Sequence, residues 1–333
     1  AENPIEIYNN KVTLHRGPDD CYGGVTAKGY KQRWGNKHIH VYDNEFYVSA
    51  HSDSGSHALA WGHACEGIDI CFTTSAYGEE GDYCDSFTVI ENNHIEAVAL
   101  NSGARGTGMR LSVFVGAGNV FRHNYFGSST SGVEFGKGDC GLCNSVVLIG
   151  DTIATIGTVD ADYHTYESGD LSGPSVGNIV RDMVCLGEAA DTNIYWDIYG
   201  EGSDLRYERT IELAIAGNNG LPVSGATVHI WPKQDYADST NNNEAVTDKV
   251  TGSSGLVYDT LPYYWIEWEK ASDSSYNPYR FRAVKDNDTV WGSLNLLDTS
   301  TVEGEYVIDT LTLGETQGED FVLHRRIKGV KRP

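Results

Sequence analysis

Along the first two hundred residues, apolar positions come in bursts too short for helices. In IEIYNNKVTL, residues 5–14, Ile5 and Ile7, then Val12 and Leu14, alternate with polar neighbours on either side of an Asn pair. A period of two predicts half-buried strands. The phrase apolar-x-x-Asn-x-apolar, here Ile7, Asn10 and Val12, then recurs. Its copies are Val41, Asn44, Phe46; Ile90, Asn93, Ile95; and Phe121, Asn124, Phe126. Two further copies carry Asp for Asn: Leu148, Asp151, Ile153 and Ile179, Asp182, Val184. A second, shorter strand follows most copies after a Gly/Ser turn, at 25–27, 58–60, 109–111, 133–135 and 194–196. Each unit thus reads as strand, turn, strand, loop. A unit of this size cannot bury an apolar face alone, so the units must stack. Stacked coils of short parallel strands form a β-helix.

The recurring Asn has a physical rationale. Asn tolerates the left-handed conformation that a sharp corner needs. Its amide both donates and accepts, so Asn side chains on successive coils can bond along the stack as a ladder. An ionised Asp cannot donate, so the ladder Asn10, Asn44, Asn93, Asn124 is expected to weaken at Asp151 and Asp182. These phrases resemble the right-handed parallel β-helix, or pectin-lyase-like, superfamily over residues 1–205. The six copies imply about six coils. The resemblance leaves function open, because that fold hosts lyases, hydrolases, spikes, adhesins and surface proteins.

Beyond residue 205 the cysteines end and longer alternating strands begin: TIELAIAG, ATVHIWP, LVYDTLP, YRFRAV and EYVIDTLTL. Their spacing predicts a β-sandwich over 206–314. NNGLPVSGATVHI at 218–230, with TGSSGLVYDTLP, resembles the carboxypeptidase-regulatory-like family of small Ig-like sandwiches. There the Gly-x-Pro-Val-x-Gly-Ala phrase forms the turn between the first two strands, and the module is accessory or adhesive. The tryptophans Trp231, Trp265, Trp268 and Trp291 fit either sugar stacking or sheet packing. Residues 315–333 form a basic tail with a net charge of +2. The fold class expected is therefore all-β: a parallel β-helix, a sandwich and a tail.

The 333 residues carry a net charge of −23, which argues against nucleic acid as a partner of the protein body. No apolar run approaches the ~18 residues of a membrane span. All seven cysteines lie in the first 185 residues, a usage that points to disulfides and an extracellular or cell-surface location. The disulfide candidates are Cys21, Cys65, Cys71, Cys84, Cys140 and Cys143. Cys65 with Cys71 and Cys140 with Cys143 are the nearest pairs, and Cys185, in an apolar segment, is left over. No cofactor is required by any motif. The acidic surface admits Ca²⁺, with Asp160 and Asp162 as candidate ligands.

In a stack of coils, residues at equivalent corners line up and can wall a groove. The corner after the Asn phrases collects Asp19 and Asp20, His51 and His57, and Arg105. Paired carboxylates supply the acid and base of glycoside cleavage, and an Arg can clamp an acidic sugar. PDDC at 18–21 resembles the GDDC phrase of polygalacturonase-type glycoside hydrolases. That family's Gly-His-Gly is absent, with WGHAC at 61–65 in its stead, and its Arg-Ile-Lys occurs only at 326–328. Solvated turns explain the same residues. The sequence therefore leans away from an enzyme. It points to a structural or adhesive surface protein whose partner is a polysaccharide, a cell-surface glycan or further copies of itself. The alternative is a lyase or glycoside hydrolase acting on acidic glycans.

Overall fold

The computed structural model describes residues 4–16, 27–32, 38–51, 64–71, 87–101, 104–112, 114–115, 119–135, 143–157, 163–168, 177–190, 193–196, 204–217, 219–233, 247–267, 274–286, 288–296 and 307–313. Strands dominate the described residues. Among the described residues, no helix is long and apolar enough to cross a membrane. The chain divides into two compact units: Ala1–Leu205 with Glu267–Ala271, and Arg206–Ile266 with Ser272–Pro333.

In the first unit the chain visits three parallel sheets in turn, six times. The first coil is Ile5–Tyr8 (β1), Lys11–Arg16 (β2) and Ala27–Gln32 (β3). The second is Ile39–Tyr42 (β4), Glu45–Ala50 (β5) and Ala64–Cys71 (β6). The third is Val89–Glu91 (β7), His94–Ala99 (β8) and Arg105–Ser112 (β9), followed by Phe114–Val115 (β10). The fourth is Val120–Arg122 (β11), Tyr125–Ser128 (β12) and Ser131–Phe135 (β13); Cys143–Asn144 (β14) then pairs with β10. The fifth is Val147–Ile149 (β15), Thr152–Thr155 (β16) and His164–Ser168 (β17). The sixth is Asn178–Arg181 (β18), Val184–Leu186 (β19) and Ile194–Trp196 (β20). Strand β1 pairs with β4, β4 with β7 and so on up the first sheet, and the other two sheets repeat this order. The arrangement is compatible with a parallel β-helix.

Each recurring phrase is therefore two strands and a corner, and a coil has three strands where the sequence suggested two. Inward side chains stack in files. Val41, Ile90, Phe121, Leu148 and Val180 fill the file of the first sheet; Phe46, Ile95, Phe126 and Ile153 that of the second; Ile68, Met109, Val133 and Tyr166 that of the third. All are buried. In the third sheet a glycine precedes each inward residue: Gly29, Gly67, Gly108 and Gly132. These glycines lie where the second sheet comes closest. A Cβ on Gly67 would fall 1.9 Å from Ile95 Cγ2, and one on Gly108 would fall 3.0 Å from Phe126 Cβ. In the fifth coil Thr165 takes this place, and the residue of the sixth coil level with Ile153 is Cys185, smaller than its counterparts.

The corner between the first and second sheets is built by two adjacent residues. The left-handed residue is the one before the ladder position: Asn9, Asp43, Asn92, His123, Gly150 and Asp182, with φ of 53–61°. The next residue carries the ladder. Asn10 Nδ2 donates to Asn44 Oδ1 (2.9 Å), Asn44 to Asn93 (2.9 Å), Asn93 to Asn124 (3.0 Å) and Asn124 to Asp151 Oδ1 (2.9 Å). Each backbone N–H of these donors reaches the same acceptor oxygen. The polarity is uniform, from the first coil towards the sixth, so Asp151 continues the ladder by accepting. Asp182 does not belong to it. The register sets Thr152 level with Val184 and Ile149 level with Arg181. Asp182 is therefore the left-handed corner residue, and Met183 stands at the ladder position.

Cys65 is the second residue of β6 and Cys71 its last; along an extended strand their Cα atoms stand about 20 Å apart, outside the Cα separation of a disulfide. Cys185 is in no disulfide. Cys143 begins β14; Cys21, Cys84 and Cys140 lie outside the described residues.

The second unit takes all but the first two residues of Asp204–Gly217 (β21), Thr227–Trp231 (β22), Thr247–Val250 (β23), all but the last residue of Leu256–Glu267 (β24), Ser274–Ser275 (β25), Tyr279–Lys285 (β26), Asp288–Leu294 (β27) and Val307–Leu313 (β28). Strands β23, β22, β26 and β27 form an antiparallel sheet; β21 neighbours β24 and pairs in parallel with β28. Ile215, Val228, Ile230, Phe281, Ala283 and Val290 are buried. Residues 219–226 of the NNGLPVSGATVHI phrase turn the chain between β21 and β22. Gly220 and Gly225 supply positive φ there, and Val223 N–H donates to Ile215 O at 2.9 Å. Trp231 is fully buried, stacks on Trp291 at 5.8 Å and lies under the Arg282 guanidinium at 5.3 Å. That is packing of the sheet rather than an open sugar platform.

Candidate functional site

Strand alternation sends the residue after each ladder position outward on the second sheet, and the third residue after it likewise. These positions hold Lys11, then Glu45 and Tyr47, then His94 and Glu96, then Tyr125. They touch one another across coils. Lys11 Nζ donates to Glu45 Oε2 at 2.6 Å and sits 4.7 Å above the Tyr47 ring. Tyr47 O–H donates to the same carboxylate oxygen at 3.3 Å. The Tyr47 and His94 rings meet at 5.7 Å, and His94 stacks on Tyr125 at 4.6 Å. His94 Nε2 lies 2.9 Å from Glu96 Oε1. The side chains of Lys11, Glu45 and His94 are 67%, 47% and 41% exposed, so the strip is open to solvent. Lys11, hydrogen-bonded to Glu45, holds that carboxylate below its ordinary value. Burial pushes the Tyr47 phenol up, and Glu45 adds to the shift. Both groups therefore keep their neutral-pH forms, an acceptor carboxylate beside a donor phenol.

The outer face of the first sheet carries a second cluster. Tyr8 stacks on Tyr42 at 5.0 Å, and His40 lies against Tyr42 at 4.3 Å. His40 Nε2 is 2.7 Å from Glu91 Oε1, while Arg122 Nε donates to Glu91 Oε2. Burial pushes the Glu91 carboxyl up, but the hydrogen bonds from Arg122 and His40 outweigh it and hold the group below its ordinary value. On the third sheet, Arg105 donates to Glu134 Oε1 at 3.2 Å and Thr107 O–H to the same oxygen at 2.8 Å. Glu134 is buried. This pairing ties the third coil to the fourth, so Arg105 is engaged within the stack rather than held out as a clamp.

The residues singled out in the sequence fare unevenly. His51 follows β5, and its N–H donates to Arg16 O at 3.0 Å in the coil below. Asp19, Asp20, His57, Asp160 and Asp162 lie outside the described residues, as does the tail 315–333. Among the described residues, no group of three His, Cys, Asp or Glu side chains could hold a metal ion. Sequence reasoning missed Glu45, Tyr47, His94, Glu96 and Tyr125. Their signal was present: the variable positions around each Asn are polar or aromatic in these copies. No family model matches the chain, and no curated protein sequence matches it.

Proposed function

We propose that the chain is a secreted or cell-surface adhesive protein: a right-handed parallel β-helix with an Ig-like sandwich, binding an extended glycan along the outer face of the helix. One observation carries this reading, the exposed strip from Lys11 to Tyr125. On coils stacked ~4.8 Å apart it sets Glu45, His94 and Tyr125 level in one file and Tyr47 and Glu96 level in the next, a run of rings and carboxylates open to solvent. A repeating hydroxylated polymer can satisfy such an array with many similar contacts, whereas a compact ligand seeks a concave pocket. The backbone beneath is fixed by the ladder, so little ordering is needed on binding. The seven cysteines favour an oxidising compartment.

The test is binding to immobilised polysaccharides. A Tyr47→Ala, Tyr125→Ala double variant is expected to lose about tenfold in affinity, roughly 1.4 kcal/mol, with its Tm within a few degrees of wild type. Undiminished binding by a folded double variant would remove the strip as the site.

A further inference from the structure

The ladder has one irregular rung. Each Asn amide nitrogen also donates to main-chain carbonyls. Asn44 Nδ2 reaches Tyr42 O in its own coil and Ile7 O in the coil below; Asn93 reaches Glu91 O and Val41 O; Asn124 reaches Ile90 O. The acceptors are thus two residues before the rung and three residues before the rung below. At Asp151 the same register gives Ile149 O and Phe121 O. An oxygen, Oδ2, stands in place of the amide nitrogen there. It is buried and has no hydrogen-bond partner, and Asp151 as a whole is 0% exposed. An ionised carboxylate oxygen held out of water with no donor, in the place where an amide donates in the other rungs, would be a costly arrangement. A carboxylic acid solves it, because its O–H donates where the amide N–H donates in the other rungs.

We propose that Asp151 is a neutral rung in the folded chain, a buried carboxylic acid whose loss of a proton to solvent loosens the stack around the fifth coil as the medium turns alkaline. Its surroundings do not supply a counter-charge. The coil below brings Arg122 and His123 to this corner, and both are exposed; the coil above brings Arg181 and the largely buried Asp182, with Cys185 on β19. None of them donates to Oδ2. The other carboxylate oxygen is used fully by Asn124. Burial pushes the carboxyl up to about 7 from 3.8, against a lowering led by the Asn124 hydrogen bonds. The sign follows. The unfolded chain releases this proton near 3.8 and the folded chain near 7, so stability is fullest below the first value. It falls as pH rises from the first value to the second and stays low above it.

Asp151→Asn restores the amide and removes the titration. Thermal unfolding of the full chain is compared at about pH 5.5 and about pH 8.5. The wild type is expected to lose roughly 5 °C or more of Tm beyond any loss in Asp151→Asn, a shift of the size that linkage predicts. Parallel pH profiles for the two proteins would overturn the proposal. Should the variant not fold, the ¹³C carboxyl shift of Asp151 in labelled wild type decides. A midpoint near neutrality supports the neutral rung; a midpoint at or below the ordinary aspartate range overturns it.

Discussion

Gly67→Val is expected to prevent the first unit from folding, leaving the protein insoluble or without a cooperative unfolding transition. The first atom added would fall 1.9 Å from Ile95 Cγ2 and 2.6 Å from Gly108 O. Ile95 is fully buried in a packed file between Phe46 and Phe126, so it has nowhere to turn. The carbonyl belongs to the next coil and cannot retreat without breaking the β6–β9 pairing. Even Gly67→Ala is expected to cost about 3 kcal/mol, the upper part of the overpacking range. Gly252→Ala is the control. Nothing lies within 4 Å of a Cβ there and no positive φ is involved, so it should change stability by less than about 0.5 kcal/mol. Chemical denaturation of the three variants checks the order. A Gly67→Ala protein as stable as Gly252→Ala would show that the sheets can part more easily than their packing implies.

Asn93→Ala should be nearly as damaging, for a different reason. The side chain accepts from Asn44 N and Nδ2, and donates to Asn124 Oδ1, Val41 O and Glu91 O. It is 2% exposed. Truncation leaves several buried polar groups without partners at once, and each such group costs about 1–3 kcal/mol. A total loss of roughly 3–5 kcal/mol follows, because partial relaxation and water entry recover some of it. Asn10→Ala, at the solvent-exposed first rung, should cost about 1 kcal/mol or less, since water replaces the lost partners. The contrast between the two sites, measured by urea denaturation, separates a ladder from a set of ordinary turn asparagines. Equal losses at both sites would contradict the ladder.

Much of the first unit was legible in its repeats. Inward and outward positions alternate as the phrases imply, and the Asn residues lie level with one another. What misled was local ambiguity. In GNIVRDMVCL, residues 177–186, apolar residues flank the corner in adjacent pairs, so the frame can slip by one. Ile179 and Val184 mimic the inward positions, whereas Val180 and Cys185 occupy them. The slip placed Asp182 on the ladder, although it is a left-handed corner. The third sheet was harder to read because its cue is a glycine before an apolar residue, as in KGY, EGI, TGM and SGV, and glycine also signals turns. In the fifth coil even that cue is gone, since HTYES carries Thr165. The outward strip was hidden for another reason. Glu45, Tyr47, His94 and Tyr125 belong to different coils and become neighbours only when the coils stack. Corner residues such as Asp19 and Asp20 drew attention through their resemblance to a known phrase, while the polar strip resembles no motif.

The proposed function requires the outer face to hold a glycan without cleaving it. The most direct measurement incubates the full-length protein with a panel of neutral and uronic-acid polysaccharides and follows retention on the polymer and release of reducing or unsaturated ends together. Saturable retention that competes with soluble oligosaccharide, with polymer length unchanged, is the result expected. Steady release of shortened products, abolished by Asp20→Asn and indifferent to Tyr47→Ala, would contradict the claim and make the chain a polysaccharide-degrading enzyme.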